Sequence, residues 1–557
     1  MNYSRCKVAV LLMFVAVSSF AQSITITNPI LKGFYPDPSI LQVGEDYYLV
    51  NSTFSYFPGI PVMHSKDLKN WKQIGNVIDR PLQMDFMGER MTRGLFAPAI
   101  MYYKGIYYVT CTDIDHEGNF VATATNPAGP WSNPVKLPEV RGIDPSIFFD
   151  ESTDKAYIIY NSDAPDNKPL YSGHRTLKMY ELDYKNLKVV GEPKIMLNGG
   201  VDLSTKPVWI EAPHIFRRNG WYYMYAAEGG TSVNHSEVIL RSKDVWGPYV
   251  PYEKNPILTQ RHLPENRPNA ITSAGHAQFV DGPDGKTYMV FLAVRPYEGD
   301  YYNTGRETFI VPVKWVDDWP VADLGGEEIK YQYTASFKEK KQKNARPQSG
   351  NFAYTIKFKD KLEPEFLFMR TEDKSSYSLS KKKGLTLKLK PEKISEFGNP
   401  SFIGKRQQHL NSSAETSMTF EPKSENEKAG LVIFQSETHY YFLSKTLKGN
   451  EAYVVLYKSG NANQTEVLAE SKLTDAAQSV TFKIESKGDK YNFYFAEGKA
   501  SPKLLLEGAD GKFLSTKVAG GFIGCLYGLY ATSSGDPSTN TASFKYLKYA
   551  GNDPTYK

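Results

Sequence analysis

Asp37, Asp144 and Glu211 are the residues of this chain best placed for acid–base chemistry, because each stands at the start of a similar stretch. Asp37 opens Asp37-Pro38-Ser39-Ile40-Leu41, Asp144 opens Asp144-Pro145-Ser146-Ile147-Phe148, and Glu211 opens Glu211-Ala212-Pro213-His214-Ile215. A turn and an aromatic-rich apolar run follow each one, as in Asp46-Tyr47-Tyr48-Leu49-Val50 and Trp221-Tyr222-Tyr223-Met224-Tyr225. Carboxyls brought together suit glycoside hydrolysis, in which one donates a proton to the leaving oxygen and another activates water or attacks. A third acid nearby raises the proton donor's pKa by repulsion. A single Asp-Pro-Ser is an ordinary turn sequence. Its recurrence is what carries the reading.

The elements that must position these acids follow from two further copies of the pattern. Ala97-Pro98-Ala99-Ile100 and Gly275-His276-Ala277-Gln278-Phe279 complete a series starting near residues 37, 97, 144, 211 and 275, at intervals of 60, 47, 67 and 64. Repeats of this size, built from short strands and turns, read as propeller blades. Asn219-Gly220 and Asp284-Gly285 between apolar runs are hairpin signals. Five copies predict a five-bladed β-propeller. Equivalent positions of successive blades converge near its axis, so the three acids are expected to share one pocket.

The composition supports an all-β chain: aromatics are 13%, with 38 Tyr, and helix-period apolar patterns are rare. Residues 1–22 read as an export signal, with Arg5 and Lys7 before the apolar Val8 to Val17 and small residues at Ser18-Ser19-Phe20-Ala21. That apolar core is shorter than the roughly 20 residues of a membrane span. A secreted, periplasmic protein with no membrane-spanning segment is expected. The net charge of +5 is nearly balanced and gives no case for a nucleic-acid partner. Cys111 and Cys525 fall in separate domains, so no disulfide is expected. The propeller spans 23–335. A Lys- and Gln-rich stretch at 336–349 reads as a solvated linker. Alternating strands such as Val480-Thr481-Phe482-Lys483-Ile484 make 350–557 a β-sandwich, of concanavalin-like type.

The first domain resembles glycoside hydrolase family 43 over its whole length. The likeness is carried by Asn28 to Ser39, Ser52-Thr53-Phe54, Phe96-Ala97-Pro98, Gly142 to Ser146, Glu211-Ala212-Pro213-His214, Ala227 to Thr231, Gly275-His276-Ala277 and Gly305-Arg306-Glu307-Thr308. The second domain resembles the sandwich of the β-xylosidase and α-L-arabinofuranosidase branch, through Gly404 to His409 and Gly520 to Gly524. The resemblance implies an inverting, exo-acting enzyme that removes terminal pentoses. Asp37 would be the general base, Glu211 the general acid, and Asp144 the residue that orients the acid and tunes its pKa. Arg306 would bind sugar hydroxyls, with Thr231 a further substrate contact. Phe54 and Phe96 would line the terminal-sugar subsite. Phe522 is a candidate contribution from the sandwich to the pocket rim.

The leading expectation is release of α-L-arabinofuranosyl residues from hemicellulose polysaccharides (xyloglucan or arabinoxylan) or their oligosaccharides. A β-xylosidase with the same residues is the alternative, and a non-catalytic sugar-binding propeller is a third reading that should lack one of the acids. The absence of Trp-Met-Asn-Asp-Pro and Arg-Asp-Pro argues against a sucrose- or fructan-cleaving relative. The chemistry requires no cofactor. A lone His after Gly is most often a hydrogen-bonded core residue, but the resemblance also implies a structural Ca2+ near His276, met largely through water. Asp113, Asp115, His116 and Glu117 read as a loop at the pocket rim rather than a metal site, and His214 as structural.

Overall fold

The computed structural model describes residues 23–460 and 464–556, so the segment read as an export signal lies outside the described residues. The N-terminal half folds as successive antiparallel sheets, each made from consecutive chain. The first comprises Ser39–Val43, Asp46–Val50, Gly59–Ser65 and Lys72–Ile78; the second runs from Leu95–Tyr103 to Val135–Lys136. The third runs from Ile143–Asp150 to Lys188–Asn198, the fourth from Glu211–Arg218 to Leu258–Thr259, and the fifth from Thr272–Asp281 to Trp319–Ala322. Their aromatic and β-branched runs are near-continuously buried, as in Thr287–Val294, because neighbouring sheets cover both faces.

Hydrogen bonds to or from the first strands link the sheets into a closed ring. Ile100 N–H donates to Ser39 Oγ at 2.9 Å, Thr110 Oγ1 donates to the Pro145 carbonyl, and Ser146 Oγ to the Pro213 carbonyl. Ala277 N–H donates to Glu237 Oε2 at 2.8 Å, and Ile40 N–H to Gln278 Oε1, joining the fifth sheet to the first. Buried backbone groups at these crossings therefore find side-chain partners instead of ladder bonds.

The C-terminal half holds a nine-stranded and a six-stranded antiparallel sheet, with alternating burial in strands such as Asn411–Thr419 and Val480–Lys487. The two sheets face each other over an apolar core containing Phe420, Leu431, Phe482, Phe493 and Leu529. That core is continuous with Val50, Ile60 and Val109 of the first two N-terminal sheets. Phe368–Met369 pairs antiparallel with Tyr56–Phe57, and Cys525 N–H donates to the Asn303 carbonyl at 2.8 Å. The halves meet along main chain as well as side chains. Cys111 and Cys525 are both buried and free.

The stretch expected as a solvated linker is pinned to the first sheet. Lys340 N–H donates to Asp67 Oδ2 at 2.7 Å, and Gln342 Nε2 to the His64 carbonyl at 2.6 Å. Its lysines do point outward at 341 and 343. Charge runs report which side chains are solvated and say nothing of backbone anchoring.

Candidate active site

In or just before each of the five first strands, one residue has left-handed backbone. These are Asp37 (φ 52°), Ala97 (43°), Asp144 (55°), Ala212 (50°) and His276 (54°). Non-glycine residues seldom hold this conformation. Register shifts mark the same places in the last four sheets, so each bend is a bulge that re-aims side chains. Two successive positions then face one pocket, as Phe96 with Ala97 and Ile143 with Asp144 do. Glu211 precedes Ala212, so it is the counterpart of Phe96 and Ile143 rather than of Asp37 and Asp144. The acids therefore come from two adjacent positions of the repeat.

The pocket has a volume of about 500 Å³, and Asp37, Asp144 and Glu211 all line it, with Thr231, His276 and Arg306. Asp37 is the most heavily bonded of the three. Arg306 grips it with Nη1 2.9 Å from Oδ1 and Nη2 3.4 Å from Oδ2, and Ser52 Oγ donates to Oδ2 at 2.6 Å. Ser52 Oγ in turn accepts from Ala97 N–H at 2.7 Å, which ties the carboxylate to the second sheet. Asp144 Oδ2 accepts from Ala212 N–H at 3.2 Å and so holds the strand that carries Glu211.

Electrostatics separates the acids. Burial, then repulsion from Asp37, pushes Glu211 up to about 7, against the opposing pull of Arg306 and Arg175. Burial, then the charges of Glu211 and Asp37, pushes Asp144 well above the usual carboxylate range. Asp37, paired with Arg306, thus shares the pocket with a carboxyl that holds a proton near neutral pH. Such a pair can donate a proton at one atom and accept one at another.

Aromatic side chains close one end. Phe96 and Phe522 both line the pocket, their rings edge-to-face at 5.5 Å. Phe522 comes from the C-terminal half, where its N–H donates to Thr92 Oγ1 at 2.7 Å. Phe54, expected on the sugar subsite, is instead 1% exposed and stands behind this wall, 5.3 Å from Phe96 and 6.3 Å from Phe522. A left-handed backbone at Phe54 (φ 56°) turns its ring into the apolar layer between the two halves.

His276 sits with Nδ1 3.5 Å from Asp37 Oδ1, and burial lowers its pKa to about 4, so the ring is neutral. His214 is buried 5.5 Å from Tyr225, within reach of Gln278 Nε2 at 3.4 Å. Ile114 lines the pocket, and Asp115 holds the pocket-lining Arg93 through Oδ1 at 2.5 Å, so the loop expected at the rim does reach it.

Sequence reasoning did not find Arg93, Arg175 and Trp209. Trp209 is 38% exposed on the pocket wall, with the Arg175 guanidinium 4.6 Å from its ring. A tryptophan two residues before the acid was the available signal. Arg175 lies in an unremarked strand of the third sheet, and only packing brings it there.

Two proton-holding acids beside an arginine-bound third, in a pocket walled by aromatics on a ring of antiparallel sheets, suit the glycosidases that work through carboxyl groups. Residues 26–320 match the model of glycosyl hydrolases family 43, and the chain belongs to that family. Residues 355–550 match the beta xylosidase C-terminal concanavalin A-like domain. The chain is 36% identical to a xylosidase/arabinosidase of Butyrivibrio fibrisolvens, over 93% of this chain and 98% of that one. It is 35% identical to a non-reducing end alpha-L-arabinofuranosidase of Bacteroides ovatus, covering 99% of each. A solved structure described as Bacteroides ovatus Xyloglucan PUL GH43B superposes with a TM-score of 0.84 at 34% identity, over 94% of this chain and 99% of that one.

Proposed function

We propose that the protein is an exo-acting, inverting α-L-arabinofuranosidase on a five-bladed propeller, releasing terminal arabinofuranosyl residues from hemicellulose side chains or oligosaccharides. The observation that carries this reading is the pocket itself: three carboxyls on its wall, with the pKa of Glu211 raised to about 7 and Asp37 held by Arg306, beside Phe96 and Phe522. Glu211 gives its proton to the glycosidic oxygen as the bond to the anomeric carbon breaks. Asp37 takes a proton from the water that attacks that carbon from the opposite face, so the released sugar has inverted configuration. Asp144 fixes the Glu211 strand through Ala212 N–H and keeps a second acidic group beside it. Phe96, Phe522, Thr231 and Arg306 hold the sugar.

The arabinofuranoside assignment is supported by the Bacteroides ovatus relative. A β-xylosidase or bifunctional enzyme is the second reading, favoured by the name of the Butyrivibrio relative. Paired kinetics on p-nitrophenyl α-L-arabinofuranoside and β-D-xylopyranoside separate them, with NMR of the first-formed anomer testing inversion. Dominant xyloside turnover overturns the arabinofuranosidase assignment, and a retained anomer overturns the mechanism.

Two expectations extend the reading. Export to the periplasm is tested by fractionation and N-terminal sequencing of the mature protein, where a product still carrying residues 1–22 opposes it. A calcium ion near His276 fits only as a hydrated ion. His276 belongs to no group of three or more close metal-ligand side chains among the described residues, and Asp37 is already bonded by Arg306 and Ser52. Elemental analysis of the purified protein tests it.

A further inference from the structure

Another polar cluster lies beside the pocket, and the reaction uses none of its members. Glu89, Asp113 and His116 each bring one ligand-type atom to within 4.8 Å of the others. Glu89 and Asp113 are 4% and 0% exposed, whereas the His116 side chain is 44% exposed and gives access from solvent.

The two carboxylates are half-satisfied in the same way. Ser55 Oγ donates to Glu89 Oε2 at 2.8 Å, and Glu117 N–H donates to Asp113 Oδ2 at 3.1 Å. Their remaining oxygens, Glu89 Oε1 and Asp113 Oδ1, are buried with no hydrogen-bond partner. Glu89 Oε1 lies 2.6 Å from His116 Nδ1 but is not aligned as a hydrogen bond, and that nitrogen is also 3.3 Å from the Asp85 carbonyl. The neighbouring charges are engaged elsewhere: Asp115 with Arg93, and Glu117 with Lys136. Two buried carboxyls whose remaining oxygens have no aligned donor, set beside an imidazole nitrogen, form a ligand set that a cation between them would satisfy.

We infer that Glu89, Asp113 and His116 form a binding site for a divalent transition-metal ion of the zinc type. One imidazole nitrogen and two carboxylate oxygens are a zinc-class donor set, whereas calcium and magnesium ask for six or more oxygens. Three protein ligands with an open solvent side leave the fourth, tetrahedral position to water. The His116 ring, 44% exposed on its solvent side, would turn away from Glu89 Oε1 to make room for the ion between them. An ion here joins three segments: the loop that ends at the pocket-lining Arg93, the turn that carries the pocket-lining Ile114, and the C-terminal half. The last link runs through the Glu89 carbonyl, which accepts from Arg370 Nε at 2.7 Å. The site is a staple for one wall of the pocket and takes no part in bond cleavage.

The test is calorimetric titration of chelator-treated full-length protein with zinc chloride, beside His116→Ala, Glu89→Gln and His276→Ala. The expected result is one zinc per wild-type chain, with His116→Ala and Glu89→Gln each weakened at least about tenfold and His276→Ala binding as wild type does. Zinc should raise the thermal midpoint of wild type and leave that of His116→Ala in place. Wild type that takes up no zinc, His116→Ala that binds with wild-type affinity, or loss of binding in His276→Ala alone would each overturn the proposal.

Discussion

The ring centroid of Phe522 lies 5.4 Å from the guanidinium carbon of Arg306, although the two residues belong to different halves of the chain. Backbone contact makes this approach possible. Gly305 has φ +75°, and a Cβ there would stand 2.6 Å from Phe34 Cβ and 2.9 Å from Gly524 Cα. A side chain at either glycine would push apart the segments that carry Arg306 and Phe522. The C-terminal half thereby touches the arginine that grips Asp37.

Phe522→Ala removes a cation–π contact worth about 1–2 kcal/mol and part of the pocket wall. The expected result is a roughly tenfold loss in kcat/KM, carried mainly by KM, with an unchanged far-UV spectrum. Steady-state kinetics equal to wild type would show that the sandwich contributes only stability.

Glu211→Gln should lower kcat on an unactivated arabino-oligosaccharide by about 10²–10⁴, the usual worth of a general acid. The loss should shrink on aryl glycosides whose leaving group needs little protonation. A uniform loss across leaving groups would contradict the acid role.

The pH dependence carries a sign. Glu211 must be protonated to act, so kcat/KM should fall as pH rises through about 7. Stability follows the same direction. The native state holds this proton more tightly than the unfolded chain, so the contribution is full below the ordinary value of 4.5 and lost as pH rises through about 7. Glu211→Gln should flatten both profiles in that window, and a basic limb that persists in the variant assigns it to another group.

Asp37→Asn should abolish turnover without trapping a glycosyl-enzyme, and intact-mass spectrometry would reveal any adduct. Ser52→Ala is the subtler variant. It removes the 2.6 Å bond to Asp37 and leaves the Ala97 N–H unpaired, at about 1–3 kcal/mol of stability. Reduced kcat with a lowered denaturation midpoint is expected, and an unchanged kcat would exclude Ser52 from positioning the base.

Asp553→Ala tests the join between the halves. Asp553 Oδ2 meets Lys32 Nζ at 3.1 Å and Arg295 Nη1 at 2.7 Å, all three buried. Arg295 keeps Glu307, 2.5 Å away, but Lys32 loses its only ion-pair partner among the described residues. A destabilisation of about 3–5 kcal/mol is expected in denaturant unfolding. A shift under 1 kcal/mol would mean that water or a rearranged Glu307 compensates.

The sequence by itself determined the all-β class, the repeating strand pattern, the three acids and the family, because turns, alternation and bulge-forming motifs are local signals. The same local signals place Asp37 and Asp144 at one repeated position. The structure shows that Glu211 stands one residue earlier, an offset that aligning Ala212-Pro213 with Asp37-Pro38 and Asp144-Pro145 would have revealed. Only the tertiary structure decided that Phe54 supports the aromatic wall while Phe522 presents it, that Arg175 and Trp209 reach the pocket, and that Glu89 joins Asp113 and His116. These contacts cross sheets or domains. Burial and chain packing create them, and no spacing along the chain encodes which distant side chain will fill a given wall.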